Sequence, residues 1–503
     1  MSERRIALLI GLGQTGAASA RWLVRQNYWV RLLDTRSSPT GLSELLEELG
    51  AAVQTVHLGD QPVPDTLFEG VDVVVPSPGM SIVSAPMVEW LARAKQAGAE
   101  VAGEVELFAQ ALQGLAQAQN YHPKLIGVTG TNGKTTVTAL TRQMIAQSGQ
   151  TVCAAGNISP SVLEALMHAL DTNSLPNYWV LELSSFQMMT IRSLKLEAGV
   201  VLNISPDHLD WHGGLPGYVE AKSRLLSMSA QKIINREDPE VVPMVASLDA
   251  TDVCSFGADE PVLSGDLGLM ADQGLVWLAA SEDDAQFGAD EPVRRRGKVV
   301  EATSRQPGRL QRLMPAQALQ LVGQHNVMNV LAAALLAQAV GIDRSPVLHA
   351  AGAYAGEPHR MQFVRTIQGV DFIDDSKGTN VGATVAGLEG LTQSAVLIAG
   401  GVTKGQDFTA LAQVVADKAI PVVLIGQDVQ QLQDALHQKN VQTMHASSMQ
   451  DAVEKAFSWA QAGQAVVLSP ACSSFDMFRD YVHRAMVYVD AVQEFALDQG
   501  EVA

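Results

Sequence analysis

The 503-residue sequence predicts an α/β protein of three domains, each organised on a mostly parallel sheet. Three observations carry this expectation. Short, predominantly apolar runs recur at 5–10, 71–75, 178–181, 198–204, 395–399 and 465–468, as strands buried on both faces of a sheet do. Most of these runs end in glycine, hydroxyl or acidic residues, and helical spacing follows several of them. The chain is also longer than one hydrophobic core ordinarily spans.

Composition narrows the function. Hydrophobic residues make up 47% and charged residues 17%, enough apolar material for sizeable cores. The net charge of −19 argues against a nucleic-acid partner, which needs a basic face. Small anionic substrates need only local Lys and Arg. The three cysteines, Cys153, Cys254 and Cys472, form no CxxC, which argues against a disulfide framework or zinc site and fits a reducing compartment. The apolar run 6–13 is too short for a signal peptide, and the apolar helix near 327–340 is too short to span a bilayer. A cytoplasmic protein without membrane insertion is expected.

Residues 1–103 read as a Rossmann-like domain. The strand 5–10 runs into GLGQTG (11–16), an amphipathic helix reaches Arg25, and a strand at 29–33 ends in Asp34-Thr35-Arg36. A G-x-G-x-x-G turn with an acid about 20 residues later is the dinucleotide fingerprint. Alone it suggests a nicotinamide-dependent dehydrogenase. The same fold holds other pyrophosphate nucleotides, and such turns also occur without a ligand. The strand 71–75 ends in Pro76-Ser77-Pro78-Gly79, a rigid turn able to line a nucleotide pocket.

Residues 104–356 read as a P-loop ATPase-type α/β domain. A helix begins at Glu104, and 110–123 reads as a Gln/Ala-rich surface connector. GVTGTNGKTT (127–136) then joins a strand at 124–126 to a helix over 137–147. Gly130 and Gly133 let backbone N–H groups approach an anion, flanked by Thr131, Asn132 and Thr136. Lys134 suits the β- and γ-phosphates, and the Thr135 hydroxyl suits Mg²⁺. Glu182 ends the strand 178–181 and reads either as a carboxylate near the metal or as a cap of the next helix. Asp207-His208 at the end of 198–204 suits a metal or a substrate. Lys222, on a helix starting near Pro216, reads as a solvated lysine. Residues 236–320 hold FGADEPV twice and Arg294-Arg295-Arg296, and read as loops and antiparallel strands. Asn326 and Asn329 share a helix face, suited to an adenine edge or to capping.

Residues 357–503 read as a second Rossmann-like α/β domain. Strands at 370–373, 395–399 and 465–468 deliver Asp374-Asp375-Ser376-Lys377-Gly378-Thr379-Asn380, Gly400-Gly401-Val402-Thr403-Lys404 and SPACSSFDMFRDY (469–481) to one edge.

GTNGKTT, LELSSFQ, DHLDWH, GQHN, EPHRMQ, DDSKGTN and SPACSSFDMFRDY together resemble the Mur ligases of peptidoglycan synthesis. The resemblance implies three domains that bind a UDP substrate, ATP and an amino acid in turn. It implies a monomeric ATP- and Mg²⁺-dependent ligase joining D-glutamate to UDP-N-acetylmuramoyl-L-alanine through an acyl phosphate. By position it implies Asp34, Thr35, Arg36 and Ser77 at the uracil and ribose, Gln14 and Thr15 near the diphosphate, and Asn157 further along the substrate. Glu182 and His208 would serve the second metal, and Lys222 would be a carbamylated lysine, reversing the solvated reading. Asn326 and Asn329 would face adenine, and Arg360 and Asp375 the ATP phosphates and ribose. Lys377, Thr379, Lys404, Ser474, Phe475 and Tyr481 would surround the glutamate. Rivals are a sister ligase adding L-alanine, a diamino acid or a folate-linked glutamate, the dehydrogenase, and a binding protein without turnover.

Overall fold

The computed structural model describes residues 4–246, 248–283, 305–321, 323–391, 393–403 and 406–501. Lys404, Arg294-Arg295-Arg296 and the second FGADEPV lie outside the described residues. The chain divides into two compact units, residues 1–316 with 330–351, and residues 317–329 with 352–503.

The first unit holds two sheets. The N-terminal one is fully parallel, in the spatial order Val53–Leu58, Trp29–Asp34, Ile6–Ile10, Val73–Pro76, Glu100–Val101. Its strand order reverses at Ile6–Ile10, where an open α/β sheet places its ligand crevice. Among the described residues the central sheet has nine strands. Lys124–Thr129 lies between Leu196–Val201 and Tyr178–Glu182, all parallel, so the three carry their C-terminal ends to one edge. One apolar cluster joins the two halves of this unit, running from Leu9 and Leu32 through Val105 and Phe108 to Leu163 and Trp179.

The helix beginning at Glu104 continues to Gln119, which corrects the connector expected over 110–123. Ala, Gln and Leu favour helix, and burial of Leu107, Phe108 and Leu112 gives it a packed face. The segment 236–320 extends the central sheet. Val253–Phe256 joins parallel, and Leu267–Asp272, Leu275–Glu282 and Arg309–Pro315 follow as an antiparallel meander.

The second unit holds a six-stranded sheet with the spatial order Gln362–Ile367, Val370–Asp374, Ala465–Leu468, Ala395–Ala399, Val422–Ile425, Thr443–Ala446. Only Gln362–Ile367 is antiparallel. Among the described residues, no helix is long and apolar enough to cross a membrane.

Candidate active site

The phosphate turn forms where strand Lys124–Thr129 meets helix Lys134–Gln147. Gly130 has φ 150°, and a Cβ there would stand 2.9 Å from Leu202 Cβ, so both backbone and space demand glycine. The neighbouring strand holds the turn in place. Thr131 and Asn132 N–H donate to Asn203 O and Oδ1 at 2.9 and 2.8 Å, and Asn203 Nδ2 returns a bond to Asn132 O at 3.1 Å. The Thr131 hydroxyl lies 3.0 Å from that of Tyr218. The helix has no side-chain cap bond and no acid in its first turn. Its leading N–H groups and dipole are therefore arranged for an anion.

Two lysines meet over this turn. Lys134 Nζ donates to Gly130 O and Thr131 O at 3.0 and 2.8 Å, and Lys222 Nζ donates to the same Gly130 O at 2.7 Å. Lys222 is 2% exposed, so it is not a solvated helix lysine. Burial, and then the charge of Lys134, push its amine well below the ordinary lysine range, with Asp207 and Glu182 only partly opposing.

Glu182 ends strand Tyr178–Glu182 and is 2% exposed. It does not cap the following helix. Ser184 does, accepting from Gln187 N–H in a capping box. Glu182 Oε1 accepts from Asn157 Nδ2 at 3.1 Å, while Oε2 is buried without a protein partner. A buried carboxylate oxygen in that state is suited to a cation. His208, at φ 52°, lies 3.6 Å from Asp207 and edges onto Phe186 at 4.7 Å between ring centroids. Beside it His212 bonds Ser185 Oγ at 2.9 Å, and burial, then Lys222 and His208, bring its pKa down to about 4. Among the described residues, no group of three or more His, Cys, Asp or Glu is placed to hold a metal ion. Glu182 and His208 carry the kinds of donor atom a metal takes, and Thr135 stands in the first turn of the adjoining helix. Lys222 becomes an oxygen donor only if it is carbamylated.

In the N-terminal sheet, Asp34 is 2% exposed and already engaged. Leu12 N–H donates to Oδ2 at 2.7 Å, and Arg36 grips both oxygens through Nε and Nη2 at 2.9 and 2.7 Å. Burial works to raise its pKa, but the Arg36 and Leu12 hydrogen bonds outweigh it and hold the carboxyl below its usual range. Asp34 thus shapes the glycine turn and presents Arg36. Thr35 is exposed, as is Gln14 at the start of helix Gln14–Arg25, which has no side-chain cap bond. Thr15 and Ser77 line a small cleft with Gly103, Phe186 and Trp211, and the Ser81 hydroxyl donates to Trp211 O at 2.9 Å across it.

In the second unit, Arg484, which no motif singled out, joins Ser376 and His359 in tying the strand-end loops together. Arg484, 1% exposed, donates to Ser376 Oγ, Ser376 O and Cys472 O at 3.0, 2.8 and 3.2 Å. Ser376 Oγ donates to Tyr481 O at 2.8 Å, and His359 Nδ1 lies 2.7 Å from Asp374. These ties place Lys377 Nζ 3.8 Å from the centre of the Tyr481 ring, with Thr379 on the same turn. Ser474 is buried, whereas Phe475 is 73% exposed and touches little. Asp375 accepts from Ser469 Oγ at 2.5 Å, and burial raises its pKa to about 7 against the opposing pull of Ser469 and Arg360. Asn329 donates to Asn326 at 3.2 Å within helix Gln324–Ala339.

Family models agree with this architecture. The Mur ligase MurD-like N-terminal domain matches 5–103, the Mur ligase middle domain 128–337, and the Mur ligase glutamate ligase domain 359–472. A UDP-N-acetylmuramoylalanine--D-glutamate ligase from Bordetella avium is 52% identical over 502 residues, covering 100% of this chain and 98% of its own. The chain belongs to the Mur ligase family. A relative of the same name from Paraburkholderia phymatum is 44% identical, covering 99% of this chain and 98% of its own. This Mur ligase shares its fold with the UDP-N-acetylmuramate-alanine ligase of Thermotoga maritima, at TM-score 0.55 and 16% identity, covering 98% of this chain and 100% of that one. A folylpolyglutamate synthase from Mycobacterium tuberculosis, complexed with ADP, matches at TM-score 0.54 and 15% identity over 78% of this chain and 94% of its own.

Proposed function

We propose that this chain is an ATP-dependent ligase that joins D-glutamate to UDP-N-acetylmuramoyl-L-alanine. The observation that carries the reading is the phosphate turn with Lys134 and the buried Lys222 converging on Gly130 O, beside the partnerless Glu182 Oε2. Full-length relatives with this activity in their names support the choice of substrates.

A carboxylate is a poor electrophile, so it is first activated. An oxygen of the L-alanyl carboxylate attacks the γ-phosphorus of ATP, the bond to the β-phosphate oxygen breaks, and ADP leaves. The D-glutamate amine then attacks the acyl carbon, loses a proton, and expels phosphate. The turn Gly130 to Thr136 grips the phosphates through backbone N–H groups, and Lys134 meets the charge growing on the transferred group. Thr135, Glu182, His208 and carbamylated Lys222 would hold Mg²⁺, whose chemistry is to neutralise phosphate charge. The burial of Lys222 supports the modification: burial favours the neutral amine, the form that adds to CO₂ and loses a proton to give a carbamate.

Asp34, Thr35, Arg36 and Ser77 receive the uridine end, Gln14 and Thr15 the diphosphate, and Asn157 the substrate's far end. From the second unit, Asn326, Asn329, Arg360 and Asp375 serve ATP. Lys377, Thr379, Ser474 and Tyr481 serve glutamate, with Lys404 and Phe475 as further contacts. A cytoplasmic monomer acting on small molecules, without nucleic-acid partners, is the accompanying expectation.

Phosphate release from ATP tests the reading. It should require UDP-N-acetylmuramoyl-L-alanine and D-glutamate together. Equal release with L-glutamate, or none with the complete mixture, would overturn it.

A further inference from the structure

At the end of the central sheet away from the phosphate turn lies a second, unassigned cleft of about 820 Å³. Strand Leu196–Val201 begins there and ends beside the phosphate turn, where Leu202 N–H meets Thr129 O at 3.0 Å. That strand length puts the two sites roughly 16 Å apart. The cleft wall carries Arg192, Lys195 and Arg224 and no carboxylate, in a chain whose acids outnumber its bases 53 to 34. Charge of one sign gathered against the trend of the whole chain focuses a local positive potential.

Two residues lining the cleft also hold polar atoms without a protein partner. Arg224 Nη2 donates to Ile191 O at 2.8 Å, which fixes the guanidinium, yet Arg224 Nε is buried without a partner. Ser193 Oγ is likewise buried and partnerless. Glu106 accepts from both Arg192 and Ser193 N–H at 2.7 and 2.9 Å, so the loop presenting these groups is held in place. Arg192 leans only loosely on Glu100, at 3.8 Å. A buried donor without an acceptor is costly. A compact anion with several oxygens would answer the charge that Arg192, Lys195 and Arg224 bring to the cleft. Guanidinium groups suit the oxygens of a phosphate, and an ammonium adds point charge.

We propose that this cleft is a binding site, separate from the phosphate turn, for a small phosphate-bearing anion carrying two or more negative charges. Arg224 and Ser193 form its floor, and Lys195 and Arg192 its rim.

Inorganic pyrophosphate titrated calorimetrically into the full-length protein tests this. At 0.15 M salt the Debye length is roughly 8 Å, so charge changes in the cleft barely reach the phosphate turn. One binding event should weaken at least 10-fold in Lys195→Glu, while any event at the phosphate turn stays unchanged. Arg224→Gln should weaken the same event; should it fail to fold, Lys195→Glu decides, since its side chain is exposed. Pyrophosphate isotherms identical in the parent and Lys195→Glu proteins would overturn the proposal.

Discussion

Replacing Lys222 with methionine separates a chemical lysine from a structural one. Methionine keeps most of the buried apolar stem, so little cavity forms. The lost contacts are the approach of the ammonium to the Tyr218 ring, 4.7 Å from its centre, and one hydrogen bond to Gly130 O at 2.7 Å, a carbonyl that still accepts from Lys134 at 3.0 Å. Such a bond contributes about 0.5–1.5 kcal/mol. Relief of a buried amine next to Lys134 acts in the opposite direction. Net stability should therefore move by no more than about 1 kcal/mol, a Tm change of a few degrees. Turnover should fall far more, on the order of 10²–10³-fold, the loss typical of removing charge stabilisation from a transition state. Lys222→Ala should lose comparable activity and, with a cavity costing about 2–5 kcal/mol, noticeable stability. A short-chain carboxylic acid should restore part of its turnover by supplying the missing oxygens. Phosphate release and thermal unfolding, run on the same samples, decide the matter. Turnover of Lys222→Met within twofold of the parent, or its thermal collapse, would refute the assignment.

Gly130→Ala should destabilise the chain by about 1–3 kcal/mol through its φ of 150° and its crowding against Leu202, and should abolish tight ADP binding, both measurable by thermal shift with and without ADP. Asp34→Asn removes the clamp on Arg36, so KM for the UDP substrate should rise about 10-fold or more while KM for ATP holds, consistent with the loss of a charged hydrogen bond. Glu104 is buried, and burial raises its pKa to about 7 from 4.5. The folded state therefore holds a proton that the unfolded state releases, and stability declines as pH rises from about 4.5 through 7. Glu104→Gln should remove that decline, gaining up to about 3 kcal/mol at pH 8 and nothing below pH 4.5, as chemical denaturation across pH would show.

The sequence alone determined the local chemistry of the site. Glycines at 11, 130 and 133, a lysine on a helix start and strand ends rich in acids and hydroxyls are short-range patterns, legible because the backbone cannot make those turns otherwise. The seven motif blocks likewise sufficed to place the chain among the Mur ligases. Tertiary structure alone decided which groups are buried together. Lys222 looked solvated because helix spacing says nothing of what covers a face, and the lowering of its pKa comes from burial and from the charge of Lys134 on another element. Glu182 could have been a cap until Ser184 was seen to hold that place. Arg484, Asn203 and Tyr218 carry no motif at all, because their bonds to Ser376, Asn132 and Thr131 span 71–108 positions of the chain and proximity through space leaves no local mark.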